Sequence, residues 1–124
     1  MKILPIGLLL LLFSSCVKEG AGGKATIKGQ VKHHDTSISN AVVYIKYGAE
    51  EQPGTSSADY DAQTVASTNG AHYEFKGLQK GDYYLYSVGY DSTISANVIG
   101  GVPVKIKKKA EMVETDVPVT EHLP

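Results

Sequence analysis

From Lys24 onward the chain alternates apolar and polar residues with a period of two, not 3.6, and this constrains the fold more than any other feature. Ala25, Ile27, Gly29 and Val31 interleave with Thr26, Lys28, Gln30 and Lys32, the pattern of a strand buried on one face. HHDTSISN follows as a turn region. Residues 41–47 (AVVYIKY) are rich in β-branched and aromatic side chains and predict a second strand. Residues 48–62 form a long loop, 63–68 a short strand, and Asn69-Gly70 a hairpin signal. Further strands are predicted over 72–75, 82–90, 93–99, 102–107 and 112–119, with a turn at 77–81. Helical periodicity is absent after the first residues. The expectation is one all-β domain, a seven- to eight-stranded antiparallel β-sandwich.

The first residues are of another kind. Lys2 precedes an apolar run from Ile3 to Phe13, eleven residues long. That suits a signal-peptide core and is too short to cross a bilayer as a helix. The run ends in Phe13-Ser14-Ser15-Cys16, which resembles a bacterial lipobox. Small residues before the cysteine let a peptidase approach the backbone, and the thiol accepts a diacylglyceryl group. Cys16 is the only cysteine, so no intrachain disulfide can form. The expected organisation is a leader over 1–15 and lipidated Cys16 with a flexible tether over 16–23. The β-domain then covers 24–120 and a tail 121–124. Two or more acyl chains give a stable anchor. Val17 replaces the aspartate associated with inner-membrane retention, so the outer membrane is the expected location.

The formal net charge is −1, and the 12 basic residues are all lysine. A chain this balanced lacks the clustered basic surface a nucleic-acid partner requires. Without arginine it also lacks the side chain best suited to bidentate oxyanion recognition.

The order of local signals resembles the carboxypeptidase regulatory-like domain, a prealbumin-like (transthyretin-like) sandwich. The matching stretches are IKGQV (27–31), ISNAVVYI (38–45), STNGAHYEF (67–75), GLQKGDYYL (77–85), Gly89-Tyr90 and Asp116-Val117. Asn40 stands where the family usually has glycine. The resemblance implies Greek-key topology. It also implies a buried Tyr83 near a sheet corner, its hydroxyl bonded to backbone. It implies a scaffold or interaction role without catalysis. Hydrolases of 5-hydroxyisourate share this sandwich, but their chemistry needs arginine and a Tyr-Arg-Gly-Ser terminus, and this chain ends EHLP. An internal Lys–Asn isopeptide bond, found in related sandwiches, would draw on Lys28 or Lys32 and Asn97. Ser87 stands where the assisting acid is expected.

Few side chains point to chemistry. His33-His34-Asp35 sits in a turn, and neighbours on extended backbone point to opposite faces, so no metal is expected there. His72 and His122 are isolated. Glu50, Glu51, Asp59 and Asp61 lack a calcium-loop spacing. No nucleophile-elbow pattern is present, and no cofactor is expected. Lys105, Lys107 and Lys109 would guard an edge strand. If Tyr83 and Leu85 point inward, Tyr84 and Tyr86 point outward, and Tyr44 joins them if its strand is adjacent. This tyrosine face, or the 48–62 loop, is the candidate binding surface for a glycan or peptide. The expected function is a non-catalytic, membrane-anchored structural or interaction module of the cell envelope, partnered by the membrane and by an envelope protein or glycan.

Overall fold

The computed structural model describes residues 17–121. The expected leader and Cys16 lie outside them, as does His122. Among the described residues no helix is long and apolar enough to cross a membrane.

The fold is all-β with two sheets, consistent with the expected sandwich. Among the described residues there are ten strands: β1 (Ala21–His33), β2 (Thr36–Ser37), β3 (Val42–Tyr47), β4 (Ala62–Val65) and β5 (His72–Leu78), then β6 (Gly81–Asp91), β7 (Ala96–Ile106), β8 (Met112–Glu114), β9 (Val117–Pro118) and β10 (Thr120–Glu121). In the first sheet β1 pairs with β2, β5, β8 and β9; the second runs β10-β7-β6-β3-β4. The alternation in β1 holds: Ala25, Ile27 and Val31 are fully buried. They meet Val43, Ile45, Tyr83, Leu85 and Val98 of the second sheet in one core. Each buried valine, leucine or isoleucine among them contributes about 1.5–3 kcal/mol by leaving water.

The C-terminal segment corrects the antiparallel expectation. β8 and β9 run parallel to β1, with Ile27 opposite Val113 and Val31 opposite Val117. The single strand expected over 112–119 is broken at Thr115 and Asp116. Thr115 N–H still bonds to Lys28 C=O, and the Asp116 carboxylate accepts from Gln30 N–H. Beyond Val119, which bonds to Lys32 C=O, the chain leaves the first sheet and β10 pairs with β7 of the second. Glu121, expected in a tail, is therefore in a strand.

A second correction concerns β7. Two strands over 93–99 and 102–107 are in fact one, running through Gly100-Gly101. These glycines are close-approach positions, not breaks. A Cβ on Gly100 would stand 2.0 Å from Pro118 O, where the C-terminal segment crosses. A Cβ on Gly101 would meet the Tyr84 ring at 2.6 Å.

The expected tether is also more ordered than its glycines suggest. Residues 21–23 belong to β1. Gly20 N–H donates to the Tyr83 hydroxyl, and the Glu19 carboxylate accepts from Asp82 N–H at 3.0 Å.

Candidate functional site

Two groupings stand out. The first is the tyrosine face. β3 and β6 are adjacent, with Tyr44 opposite Tyr86 and Tyr83 and Leu85 turned into the core. The structure thus brings Tyr44, Tyr84 and Tyr86 onto one face. It does not leave that face open, because Tyr60 folds over it from the 48–62 loop. The Tyr60 and Tyr86 rings stack nearly parallel at 5.6 Å, and Tyr44 lies 5.5 Å from Tyr60. Tyr86 is only 3% exposed as a result. Ser56 caps a short 3-10 turn over Ser57–Asp59, and the Tyr60 hydroxyl donates to Gly54 C=O at 2.7 Å. These local bonds hold the loop in place. Burial pushes the Tyr60 phenol up to about 12, with the Tyr86 and Tyr84 hydroxyls adding to the shift. Burial also raises Tyr84 and Tyr86. The exposed part of this sheet face is instead an apolar row. Val65, Val42, Val88 and Ile99 lie opposite one another in register, with Tyr90 beyond. Val65 and Tyr90 are more than half exposed.

The second grouping was not legible as a site. His33 ends β1 on its inward register, and Asp91 ends β6 on its own inward register. Each comes from a different sheet, and they meet where the two sheets' ends face each other. His33 Nδ1 lies 2.8 Å from Asp91 Oδ2, and His33 Nε2 lies 2.5 Å from Glu121 Oε1. Asp91 Oδ1 accepts from Thr93 N–H at 2.9 Å and from the Thr93 hydroxyl at 2.5 Å. His33 is 6% exposed and Asp91 2%, whereas the Glu121 side chain is 45% exposed. With both carboxylates ionised, each ring nitrogen must carry a proton to donate, so His33 is an imidazolium.

The protonation preferences follow from these bonds. The Asp91 hydrogen bond raises the His33 pKa above 6.5; burial opposes it, and Glu121 reinforces it. The Thr93 hydroxyl and then His33 hold Asp91 below the usual carboxylate range. Glu121 is held low by its backbone N–H and by His33.

His34 is not on the far face, as an extended backbone would place it. Its φ of 57° lies in the left-handed region and ends the alternation. Its ring turns back to His33, with centroids 4.6 Å apart. A histidine pair followed by Asp35 gave no signal of this, because the positive φ belongs to the tight β1–β2 turn.

The other candidates stay local. The Asp61 carboxylate accepts from Tyr47 N–H and that of Asp59 from Ser56 N–H, so neither turns toward a shared ion. His72 is exposed on β5. The Ser87 hydroxyl donates to Val42 C=O. Lys105 stands on a β7 edge without a second strand neighbour among the described residues and pairs with Asp82 at 3.4 Å. Lys107 and Lys109 follow the end of β7.

No family model matches this chain, and no curated protein matches it.

Proposed function

We propose that this chain is a lipid-anchored, non-catalytic β-sandwich module of the cell envelope, attached at Cys16 and displayed from the outer membrane. The observation that carries the proposal is the apolar run ending in Phe13-Ser14-Ser15-Cys16, the only cysteine, close to the first strand. Cleavage before Cys16 would leave a short link, because Glu19 and Gly20 are already bonded to the domain. The domain would therefore sit against the bilayer.

The Greek-key, carboxypeptidase regulatory-like assignment is part of the same proposal. It is supported by the Tyr83 hydroxyl, which donates to Gln79 C=O at 2.6 Å as that resemblance implies. It is supported also by Asn40, whose φ of 63° is one that glycine would adopt.

A structural or interaction role fits the surface. The His33 nitrogens are both taken by carboxylates, so His33 has no hydroxyl to activate as a general base. The row Val65, Val42, Val88 and Ile99 with Tyr90 offers a partner surface of the envelope, protein or glycan. The tyrosine face serves this less well, since Tyr60 already covers it.

The experiment is mass spectrometry of the chain recovered from its producing cell, with membrane fractionation. Acylated Cys16 at the new N-terminus, and release of Cys16→Ser into the soluble fraction, are the expected results. A free thiol on an uncleaved chain would overturn the proposal.

A further inference from the structure

We propose that His33, His34 and Glu121 form a binding site for a divalent transition-metal ion of the Zn²⁺ type, with Asp91 orienting His33 from behind.

The donor atoms are already gathered. One donor atom each from His33, His34 and Glu121 lies within 4.8 Å of the other two. They come from the β1 end, the turn after it and the last described strand, and the C-terminal crossover between sheets brings Glu121 to the histidines. Tetrahedral zinc, with bonds of about 2.0–2.2 Å to nitrogen and oxygen, needs neighbouring donors about 3.3 Å apart. His33 Nε2 and Glu121 Oε1, now at 2.5 Å, would part by less than about 1 Å to admit the ion. His34 and Glu121 are both exposed and can close in.

The support behind the ligand is that of a metal site. A ligating histidine commonly donates its second N–H to a carboxylate, which fixes the tautomer and aims the lone pair. Asp91 is placed to do this, and two hydrogen bonds donated by Thr93, from its backbone N–H and its hydroxyl, hold it in turn. With Nδ1 donating to Asp91, Nε2 points toward Glu121 and His34, and loss of its proton would free a lone pair in that direction. The proton now shared between Nε2 and Glu121 is what the metal ion would replace. Two imidazoles and one carboxylate favour zinc, copper or nickel over the hard cations calcium and magnesium. Water would fill the fourth position.

The site lies far from the expected anchor. Gly20 bonds to Tyr83 at the start of β6, and His33 bonds to Asp91 at its end. Thirteen residues of β1 separate the two ends by up to about 40 Å. The ion would bind at the pole facing away from the membrane.

The test is calorimetric titration of the full chain in detergent with ZnCl₂, in competition with a chelator of known affinity. One Zn²⁺ per chain is expected. His34→Ala and Glu121→Gln, exposed changes that leave the fold in place, should each weaken binding at least about 10-fold. Asp91→Asn should weaken it about 10- to 100-fold. Substituting Co²⁺ should give the visible spectrum of a tetrahedral site with nitrogen ligands. His72→Ala should bind as the native chain does. Absence of binding at tens of micromolar Zn²⁺ by the folded native chain would overturn the proposal. Equal affinity in the His34→Ala, Glu121→Gln double variant would do the same.

Discussion

β1 and β6 run in the same sense, one in each sheet, and the space between them is closed at both ends by a ring with a polar head. At the first end the ring is Tyr83, fully buried, its hydroxyl accepting from Gly20 N–H at 3.0 Å and donating to Gln79 C=O. At the other it is His33, held between two carboxylates. The first closure is neutral, and burial raises the Tyr83 pKa so that it stays neutral. The second is ionic and opens to solvent through Glu121 and His34. A neutral closure needs only shape and two backbone partners, and it behaves alike across a wide pH range. An ionic closure depends on three protonation states, and so it can respond to pH or to another cation.

The largest expected effect is at the neutral end. Tyr83→Phe keeps the ring and removes the hydroxyl, leaving Gly20 N–H and Gln79 C=O without this partner. The loss should be about 2 kcal/mol. Urea denaturation at pH 5 and pH 8 should give the same loss at both. A loss that changed with pH would break the contrast between the ends.

One half of that closure was implied by the family resemblance, a buried Tyr83 with its hydroxyl bonded to backbone; the Gly20 half was missed, because 16–23 read as a flexible tether. The ionic closure gave no signal. The alternation in β1 was legible from its local pattern. Period-two patterning records burial and does not record partners. Val113, Val117 and Val119 therefore read as one strand, although the pairing breaks at Thr115 and Asp116 and the chain crosses to the other sheet just beyond Val119. Gly100-Gly101 read as a break because the sequence does not show that Pro118 and Tyr84 come to lie against them. The tyrosine face was assembled correctly, but its cover was missed. Tyr60 reaches Tyr86 across 26 residues of chain, through a loop whose own bonds carry no periodic signal.

The next effect should appear at the ionic end, in protein freed of metal by a chelator. His33 has a folded pKa above its ordinary 6.5, so its contribution is full below that value and fades as pH rises through the folded one. Asp91 and Glu121 have folded pKa values below 3.8 and 4.5, so theirs is full above those values and fades as pH falls. The closure should thus be strongest between about pH 4.5 and 6.5. Melting temperature against pH should show a maximum there, and His33→Gln should flatten its alkaline side. An unchanged profile in His33→Gln would show that this end is no more responsive than the Tyr83 end.

The smallest effect should come from Tyr60, which repeats the Tyr83 chemistry in a half-exposed setting. Its hydroxyl donates to a backbone carbonyl as that of Tyr83 does, but Gly54 C=O sits in a loop where water can replace the lost bond. Tyr60→Phe should therefore cost less than about 1 kcal/mol at neutral pH. The sign of its alkaline behaviour is set by a folded pKa of about 12 against an ordinary value of 10. The neutral phenol's contribution is complete below pH 10 and is lost as pH rises toward 12. Ultraviolet titration should show several tyrosines ionising late, Tyr83, Tyr84 and Tyr86 among them, and Tyr60→Phe should remove one of these late steps. If Tyr60→Phe cost as much as Tyr83→Phe, burial would not be what separates the two hydroxyls. The loop would then be as fixed a part of the domain as the core end that Tyr83 closes.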